Sequence, residues 1–117
     1  MGNLDFGRMG EDYACAYLVD KGMKLVTRNF RCKHGEIDLI MREGSFFVFV
    51  EVKSRRSRLY GEPIEAVNSF KQRHIRYTAE AFLLAQHKSD QRIRFDVVEV
   101  MMERGREMKV RHTKNAF

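Results

Sequence analysis

Four charged side chains interrupt two otherwise apolar segments of this sequence. Glu36 and Asp38 stand in the segment GEIDLI, and Glu51 and Lys53 stand in the segment FVEVK. Carboxylates supply the oxygen ligands that Mg²⁺ prefers, and a neighbouring lysine is suited to orient an attacking water. These residue types therefore point to metal-assisted hydrolysis of a phosphodiester.

The dipeptide Gly44-Ser45 lies between these segments and is typical of a two-residue type II′ hairpin turn. Counting back from such a turn pairs Glu43 with Phe46, Leu39 with Val50, Asp38 with Glu51 and Glu36 with Lys53. Because side chains alternate along a strand, the four charged residues share one face. The apolar residues predicted to share the other face, as part of the core, are Ile37, Leu39, Val48, Val50 and Val52.

The predicted opposition of Asp38 and Glu51 needs compensation. Directly opposed residues have Cβ atoms roughly 5 Å apart, and like charges there destabilise a sheet. A divalent cation would remove the repulsion, with Lys53 beside it to orient or help deprotonate the attacking water. The alternative is that Glu36 and Lys53 form an ordinary ion pair, while the two acids lie on a solvated face.

The two segments together resemble the PD-(D/E)xK nuclease motif, with Asp38 as the first acid and Glu51-Val52-Lys53 as the ExK element. Over nearly the whole chain, the sequence more closely resembles the YraN-like family of small bacterial proteins. These are predicted endonucleases, distantly similar to archaeal Holliday junction resolvases. The segments that carry the resemblance are Gly10-Glu11-x-x-Ala14, Arg28-Asn29-Phe30-Arg31, Gly35 to Ile40, Phe49 to Lys53, Gly61-Glu62-Pro63, Glu65-Ala66-Val67 and Asn115-Ala116-Phe117.

The resemblance implies a restriction-endonuclease-like fold and a metal-dependent deoxyribonuclease acting on branched DNA. It implies that Asp38, Glu51 and Lys53 are catalytic, with Mg²⁺ or Mn²⁺ held by the two acids. In distant junction resolvases a glutamate of the first helix joins the metal site, and the match at Gly10-Glu11 gives that role to Glu11. The alternative is that Glu11 forms a salt bridge with an arginine.

Glu36 and Gln72 are candidates for supporting roles around this site. Glu36 would adjust Lys53 or bind the metal through a water. Some related nucleases place a functional glutamine or lysine after ExK, which favours Gln72, but the S-x-x-Q pattern that begins at Ser69 explains it equally well as a helix capping box. Lys71 matches a lysine in the family pattern and is a candidate phosphate ligand.

A basic loop is predicted directly after the ExK element. It carries Arg55, Arg56 and Arg58 among glycine and serine residues, with Tyr60 near its end. Arginine contacts with phosphates would position DNA without reading its sequence, and Tyr60 is suited to stack on an unpaired base. The alternative is a solvated loop. Its position directly after ExK favours the DNA interpretation.

The composition is that of a small basic protein. The chain has 117 residues, of which 32% are charged, and a formal net charge of +6. This fits one domain over residues 1–117 with a polyanionic partner such as DNA. No run of about 20 apolar residues predicts a membrane span, and the first residues lack a signal-peptide pattern, so we expect a cytoplasmic location. Cys15 and Cys32 fit neither a zinc motif nor a disulfide framework.

Hydrophobic periodicity predicts two helices around these strands. The first spans roughly Asn3 to Lys21, ends at Gly22, and contains Gly7 and Gly10, which let it approach the sheet closely. The second ends near Gln86. Its residues at helical spacing are Val67, Phe70, His74, Tyr77, Ala81, Leu84 and Ala85, and Lys71, Arg73 and Arg76 form a separate basic face.

The resulting prediction is an α/β fold in the order α-β-β-β-α-β-β, with a central mixed sheet flanked by the helices. Two rival classes of function remain open. A non-catalytic nucleic-acid-binding module would bind DNA without cleaving it, and a structural or protein-interaction subunit would not bind nucleic acid. The intact set of Asp38, Glu51 and Lys53 favours the enzyme. Because junction resolvases make paired cuts as dimers, we expect a homodimer by analogy.

Overall fold

The computed structural model describes residues 3–56, 67–88, 90–102 and 107–117. Its elements are α1 (Asn3–Asp20), β1 (Lys24–Cys32), β2 (Gly35–Glu43), β3 (Phe46–Arg55), α2 (Ser69–Ala85), β4 (Arg92–Met101) and β5 (Lys109–Thr113). The strands form a sheet in the order β1-β2-β3-β4-β5, in which β3 and β4 are parallel and the other neighbours are antiparallel. The predicted element order and mixed sheet are confirmed, and they are consistent with an α/β nuclease-like fold.

α1 and α2 cover opposite faces of the sheet. Phe49 of β3 packs in the cluster beneath α2, and its neighbour Val50 packs in the cluster beneath α1. Because side chains alternate along β3, Glu51 and Lys53 project on the same side as Phe49, toward α2. Within the part of the chain that the structure describes, neither helix is long and apolar enough to cross a membrane.

Gly22 ends α1 as predicted, in a left-handed conformation with φ of +100°. The N–H of Met23 donates to the carbonyl of Leu18 at 3.1 Å, and the N–H of Gly22 donates to the carbonyl of Val19 at 3.0 Å. These two bonds make a Schellman motif, which satisfies the last carbonyls of the helix.

Gly10 allows α1 to lie close against β3. A Cβ atom at Gly10 would lie 1.8 Å from the Oγ and 3.0 Å from the Cβ of Ser54, so either the Ser54 side chain or one of the two elements would have to shift. At Gly7 no atom lies within 4 Å of the corresponding position. The predicted close approach is therefore confirmed at Gly10 and wrong at Gly7.

α2 packs on the sheet through a different face from the one that residue spacing suggested. Its buried residues are Ile75, Thr78, Ala79, Phe82 and Leu83. Phe70, Tyr77 and Leu84 are instead exposed, with 63%, 52% and 59% of their surface accessible. Phe82, on the buried face, contacts the rings of Phe47 and Phe49. The helix therefore turns this face to the sheet and leaves Phe70 and Tyr77 in solvent.

A buried charge network joins β4 to the end of the chain. Asp96 is fully buried and accepts hydrogen bonds from Arg94 at 2.8 and 2.9 Å and from the backbone N–H of Asn115 at 3.0 Å. The Nε2 of His112 lies 2.7 Å from the same carboxylate, and Arg94 also reaches Glu43 at 2.8 Å. Asp96 therefore has a structural role in holding β5 and the residues after it against β4.

Candidate active site

The predicted hairpin sets the register of the site as far as Leu39. Gly44 has a φ of +58° while Ser45 has no positive φ, which fits a type II′ turn. The ladder between β2 and β3 follows the predicted register back to Leu39 opposite Val50 and ends there. The predicted pairs beyond it, those of Asp38 and of Glu36, are not part of the ladder.

β2 changes face at Asp38. Ile37 packs with Ile40 beneath α2, whereas Leu39 packs beneath α1. The prediction that Ile37 and Leu39 share one face is therefore wrong, because regular alternation does not continue through Asp38. The register of β1 and β2 places Asn29 opposite Asp38, and Asn29 adopts a left-handed φ of +52°. Both strands are thus irregular at the same level of the sheet.

The carboxylate of Asp38 takes the place of a ladder partner for β3. Its Oδ2 accepts the backbone N–H of Val52 at 2.8 Å. Asp38 lies in the same cleft as Glu51, whose surface is only 7% exposed. Burial, and then the negative charge of Glu51, raise the pKa of Asp38 to about 7 despite the hydrogen bond from Val52. The two acids therefore repel each other, as their predicted proximity requires.

Two lysines converge on Glu51. The Nζ of Lys71 lies 2.8 Å from Oε1 of Glu51, and the Nζ of Lys53 lies 3.6 Å from the same oxygen. Burial, and then the neighbouring Lys71, lower the pKa of Lys53. Burial also acts to lower the pKa of Lys71, but its contacts with Glu51 and Lys53 outweigh burial and raise it. Lys71 is therefore the more firmly charged cation, and Lys53 is the one that loses its proton more readily.

Glu36 and Glu11 have arginine partners. Glu36 lies 3.3 Å from Arg31, not in the predicted pair with Lys53. Glu11 lies 3.6 Å from Arg28, which matches the salt-bridge alternative for this residue. Glu11 still lines a cleft of about 610 Å³ on the α1 side that also includes Glu36 and Asp38.

Asp38 and Glu51 together provide two carboxylates, a set of ligands that suits Mg²⁺ or Mn²⁺. Among the residues that the structure describes, no three Asp, Glu, His or Cys side chains form a group able to hold a metal ion. Mg²⁺ is commonly bound by one or two carboxylates, with waters and substrate phosphates as the other ligands. Asp38 and Glu51 meet that requirement, and the raised pKa of Asp38 indicates a carboxylate whose charge is poorly compensated. Glu11 shares the α1-side cleft with Asp38 but forms no three-ligand group with Asp38 and Glu51.

Gln72 has a structural partner at the start of α2. Its Nε2 donates to the backbone carbonyl of Val67 at 2.8 Å. The N-cap of the helix is Asn68, whose Oδ1 accepts the N–H of Lys71 at 2.9 Å. The capping box predicted from Ser69 is therefore wrong by one residue, because asparagine is an equally good N-cap. This cap fixes the helical turn that delivers Lys71 to Glu51.

The predicted basic loop begins later than expected. Arg55 is the last residue of β3, and its Nε lies 3.1 Å from the buried carboxylate of Glu99, so it faces inward. Arg56 is exposed, and its guanidinium lies 4.3 Å from the ring centroid of Phe6. Arg58 and Tyr60 lie outside the described residues, so their predicted contacts with DNA stay predictions.

The aromatic wall of the Glu51 cleft was not predicted from the sequence. This cleft has a volume of about 580 Å³, and Phe70, His74 and His34 line it together with the two acids. The available signal was the spacing of Phe70, His74 and Tyr77, which puts three rings on one side of a helix. Spacing of this kind usually marks a core-facing stripe, so only the packing shows that these rings meet the cleft.

The fold and the cleft define an α/β protein of nuclease-like architecture, with paired acids and lysines on one side of the sheet. A model of the uncharacterised protein family UPF0102 matches residues 10–100. UPF0102 proteins of Rhodococcus opacus and Rhodococcus jostii are 46% and 47% identical to the chain over 115 residues, or 98% of each sequence. A UPF0102 protein of Caldicellulosiruptor saccharolyticus is 45% identical over 118 residues, covering both chains completely. The chain belongs to the uncharacterised protein family UPF0102, which confirms the predicted YraN-like resemblance.

Proposed function

We propose that this protein is a metal-dependent DNA endonuclease that hydrolyses phosphodiester bonds. The observation that carries the proposal is the meeting of Asp38 and Glu51 in one cleft, where burial and mutual repulsion raise the pKa of Asp38 to about 7. A structural ion pair would have the opposite effect on a carboxylate. Shifted carboxylates in a cleft are typical of functional sites and of metal ligands.

Each side chain of the cleft has a distinct role in this proposal. Asp38 and Glu51 hold Mg²⁺ or Mn²⁺, which supplies Lewis-acid polarisation of the phosphate when it is bound. Lys53, whose pKa is lowered, orients the attacking water and accepts a proton from it. Lys71, whose charge is firm, contacts the phosphate and stabilises the negative charge that develops there.

Several features favour DNA as the substrate. The net charge of +6 suits a polyanion, and exposed Arg56 extends the positive charge beyond the end of β3. Lys71 lies in the first turn of α2, where the helix dipole also favours a phosphate. The choice of branched DNA and a homodimer comes from the resemblance to junction resolvases.

A second candidate function is a non-catalytic nucleic-acid-binding module. Lys71 lies only 2.8 Å from Glu51, so its ammonium partly replaces a metal ion as the positive charge beside this carboxylate. No group of three metal-binding side chains forms among residues 3–56, 67–88, 90–102 and 107–117. In that case DNA binding would weaken steeply with salt and would not depend on the charge of Asp38.

A nuclease assay on purified protein tests these alternatives. Labelled four-way junction, flap, single-stranded and linear duplex DNA are incubated with Mg²⁺ or Mn²⁺, beside a chelator. Asp38→Ala, Glu51→Ala and Lys53→Ala should each reduce cleavage by about 100-fold or more. Glu80→Ala, which removes an exposed acid from α2, is the matched control and should leave cleavage unchanged.

The outcomes separate the two candidates. Cleavage that needs the metal and all three residues supports the endonuclease, and the best substrate identifies the preferred DNA structure. Binding without cleavage under any metal supports the non-catalytic module. Cleavage that persists in all three variants would come from a contaminating nuclease. Light scattering after size exclusion measures the oligomeric state, and a monomer at high concentration would contradict paired cutting.

A further inference from the structure

An aromatic surface, here called the aromatic shelf, borders the proposed active site. It consists of Phe70, His74 and Tyr77 of α2 together with His34 of the turn between β1 and β2. Phe70 is 63% exposed and Tyr77 is 52% exposed. Large aromatic surface in solvent loses the free energy that burial would provide. Two such rings on one helix, beside a cleft, therefore indicate a surface that is covered when a partner binds.

The shelf is held in place by contacts among its own members. The ring centroids of Phe70 and His74 lie 4.4 Å apart, and those of His34 and Tyr77 lie 5.4 Å apart. A hydrogen bond of 2.7 Å between Nδ1 of His74 and the carbonyl of His34 joins the two pairs. The rings are thus fixed before any partner arrives, which lowers the entropic cost of binding.

The shelf shares its cleft with the acids. Phe70, His74 and His34 line the same cavity of about 580 Å³ as Asp38 and Glu51. Lys71, which follows Phe70 in the chain, lies 2.8 Å from Glu51. One turn of α2 therefore presents an aromatic ring and a cation side by side, which matches the base and the phosphate of one nucleotide.

The charge around the shelf favours a nucleic acid over an apolar protein surface. Exposed Lys33 precedes His34, and exposed Arg73 precedes His74. Aromatic rings that alternate with basic residues are typical of surfaces that bind single strands, in which bases stack and phosphates pair with cations. Within a duplex each base is covered by its neighbours, so only an unpaired or flipped-out base offers a free face for stacking.

We propose that the aromatic shelf stacks an unpaired nucleobase next to the scissile phosphate, so that the substrate class is DNA with single-stranded nucleotides at the site of cleavage. This inference rests on the proposed nuclease function and deepens it by assigning the substrate. Phe70, which lines the cleft together with the acids, stacks the base closest to the phosphate. Tyr77, about two turns further along α2, stacks another base of the same strand.

Binding measured in a Lys53→Ala background with Mg²⁺ tests the shelf independently of cleavage. The probes are a short single strand that carries a fluorescent adenine analogue, and the same sequence as a duplex. Loss of one stacking contact costs about 1–3 kcal/mol, so Phe70→Ala and Tyr77→Ala should each weaken single-strand binding by roughly 5- to 150-fold. Duplex affinity should change by less than about 2-fold, and the quenching of the analogue should be lost with the ring.

The chain offers matched controls. Leu84→Ala removes an exposed apolar side chain from the same helix, 59% accessible and distant from the cleft, and should leave both affinities unchanged. Phe70→Trp keeps an aromatic face and should retain single-strand binding. Phe70 and Tyr77 are both exposed, so their substitution should leave the unfolding midpoint in urea within error of the background protein.

Three results would overturn the inference. Unchanged single-strand affinity in both alanine variants would show that the shelf binds no base, even if wild-type protein still cleaves duplex DNA. Failure of the background protein to bind single strands at all would do the same. A change of oligomeric state in these variants, with DNA affinity retained, would make the shelf a protein interface. Conversely, single-strand binding that depends on Phe70, without cleavage by wild type, would support the shelf and contradict the nuclease.

Discussion

The side chain of Asp38 accepts the backbone N–H of Val52 at 2.8 Å, at the point where β2 leaves its ladder with β3. Among the described residues, the carboxylate of Asp38 forms no other hydrogen bond or ion pair. One carboxylate oxygen is therefore anchored, while the group as a whole remains next to Glu51 in the cleft. This arrangement holds a poorly compensated charge in a fixed position, as a metal ligand requires.

The stability of the metal-free protein should depend on the protonation of Asp38. Its pKa is about 7 when folded and about 4 when unfolded, so the folded chain retains a proton that the unfolded chain releases. This stabilising contribution is full below roughly pH 4 and is lost as the pH rises to about 7. Asp38→Asn keeps an oxygen for Val52 but has no charge. At about pH 8 it should be more stable than wild type by roughly 1–3 kcal/mol, measured by urea unfolding.

The difference between Asp38→Asn and wild type should shrink toward zero as the pH falls below about 4, where the wild-type acid becomes protonated in both the folded and the unfolded state. Glu80→Gln, which neutralises an exposed acid of α2, is the control and should show no comparable gain. A variant less stable than wild type at high pH would contradict the repulsion between Asp38 and Glu51.

Asp96 should be the acid whose loss costs the most stability. Burial by itself raises its pKa, but hydrogen bonds from His112, Arg94 and Asn115 outweigh burial and hold the pKa below its ordinary value. Asp96→Ala leaves Arg94 and His112 without this buried partner and should destabilise the fold by about 3–5 kcal/mol near neutral pH. Chemical denaturation, with exposed Asp90→Ala as control, measures the effect.

The pH dependence of this effect has a definite sign. Because the folded pKa of Asp96 is depressed, its contribution is present above the unfolded value near pH 4 and is lost as the pH falls through the folded value. The deficit of Asp96→Ala should therefore diminish in acid. A deficit that stays constant down to strongly acidic pH would assign the cost to packing instead of charge.

Two glycines of α1 should respond oppositely to alanine. At Gly7 no atom meets the new Cβ, so Gly7→Ala should stabilise the helix by about 0.5–1 kcal/mol. At Gly10 the Cβ would lie 1.8 Å from the Oγ of Ser54, and Gly10→Ala should cost about 1–3 kcal/mol. Ser54→Gly should relieve that cost, so a double-mutant cycle would show strong coupling. Additive effects would contradict the close approach.

The register of the site was predictable because local chemistry determines it. Gly44 supplies the positive φ that the turn requires, and the turn then sets the pairing back to Leu39 opposite Val50. The face of Ile37 was not predictable from alternation. The N–H of Val52 bonds the side chain of Asp38 instead of a backbone carbonyl of β2. Such a hydrogen bond leaves no trace in the hydrophobic periodicity of the sequence.

The partners of the acids depend on tertiary contacts that spacing does not specify. Lys71 is recognisable in sequence as basic, but its contact with Glu51 requires α2 to pack back against the sheet that contains β3. Arg55 looks like a residue of a basic loop, yet β3 continues far enough to pair it with Glu99. α2 also turns a different face to the sheet from the one that spacing suggested, since Phe82 contacts the aromatic rings of β3 while Phe70 is exposed.

Removal of Lys71 should tighten metal binding. Its ammonium lies 2.8 Å from Glu51 and would compete with a divalent cation for that carboxylate. Lys71→Ala should bind Mn²⁺ about 5- to 10-fold more tightly, since roughly 1 kcal/mol of repulsion between the cations is removed. Titration followed by the electron paramagnetic resonance signal of free Mn²⁺ measures this affinity. Lys24→Ala, an equal change of charge at an exposed position of β1, should have little effect. Weaker Mn²⁺ binding in Lys71→Ala, or undiminished binding in Asp38→Ala, would show that the ion does not bind between these acids.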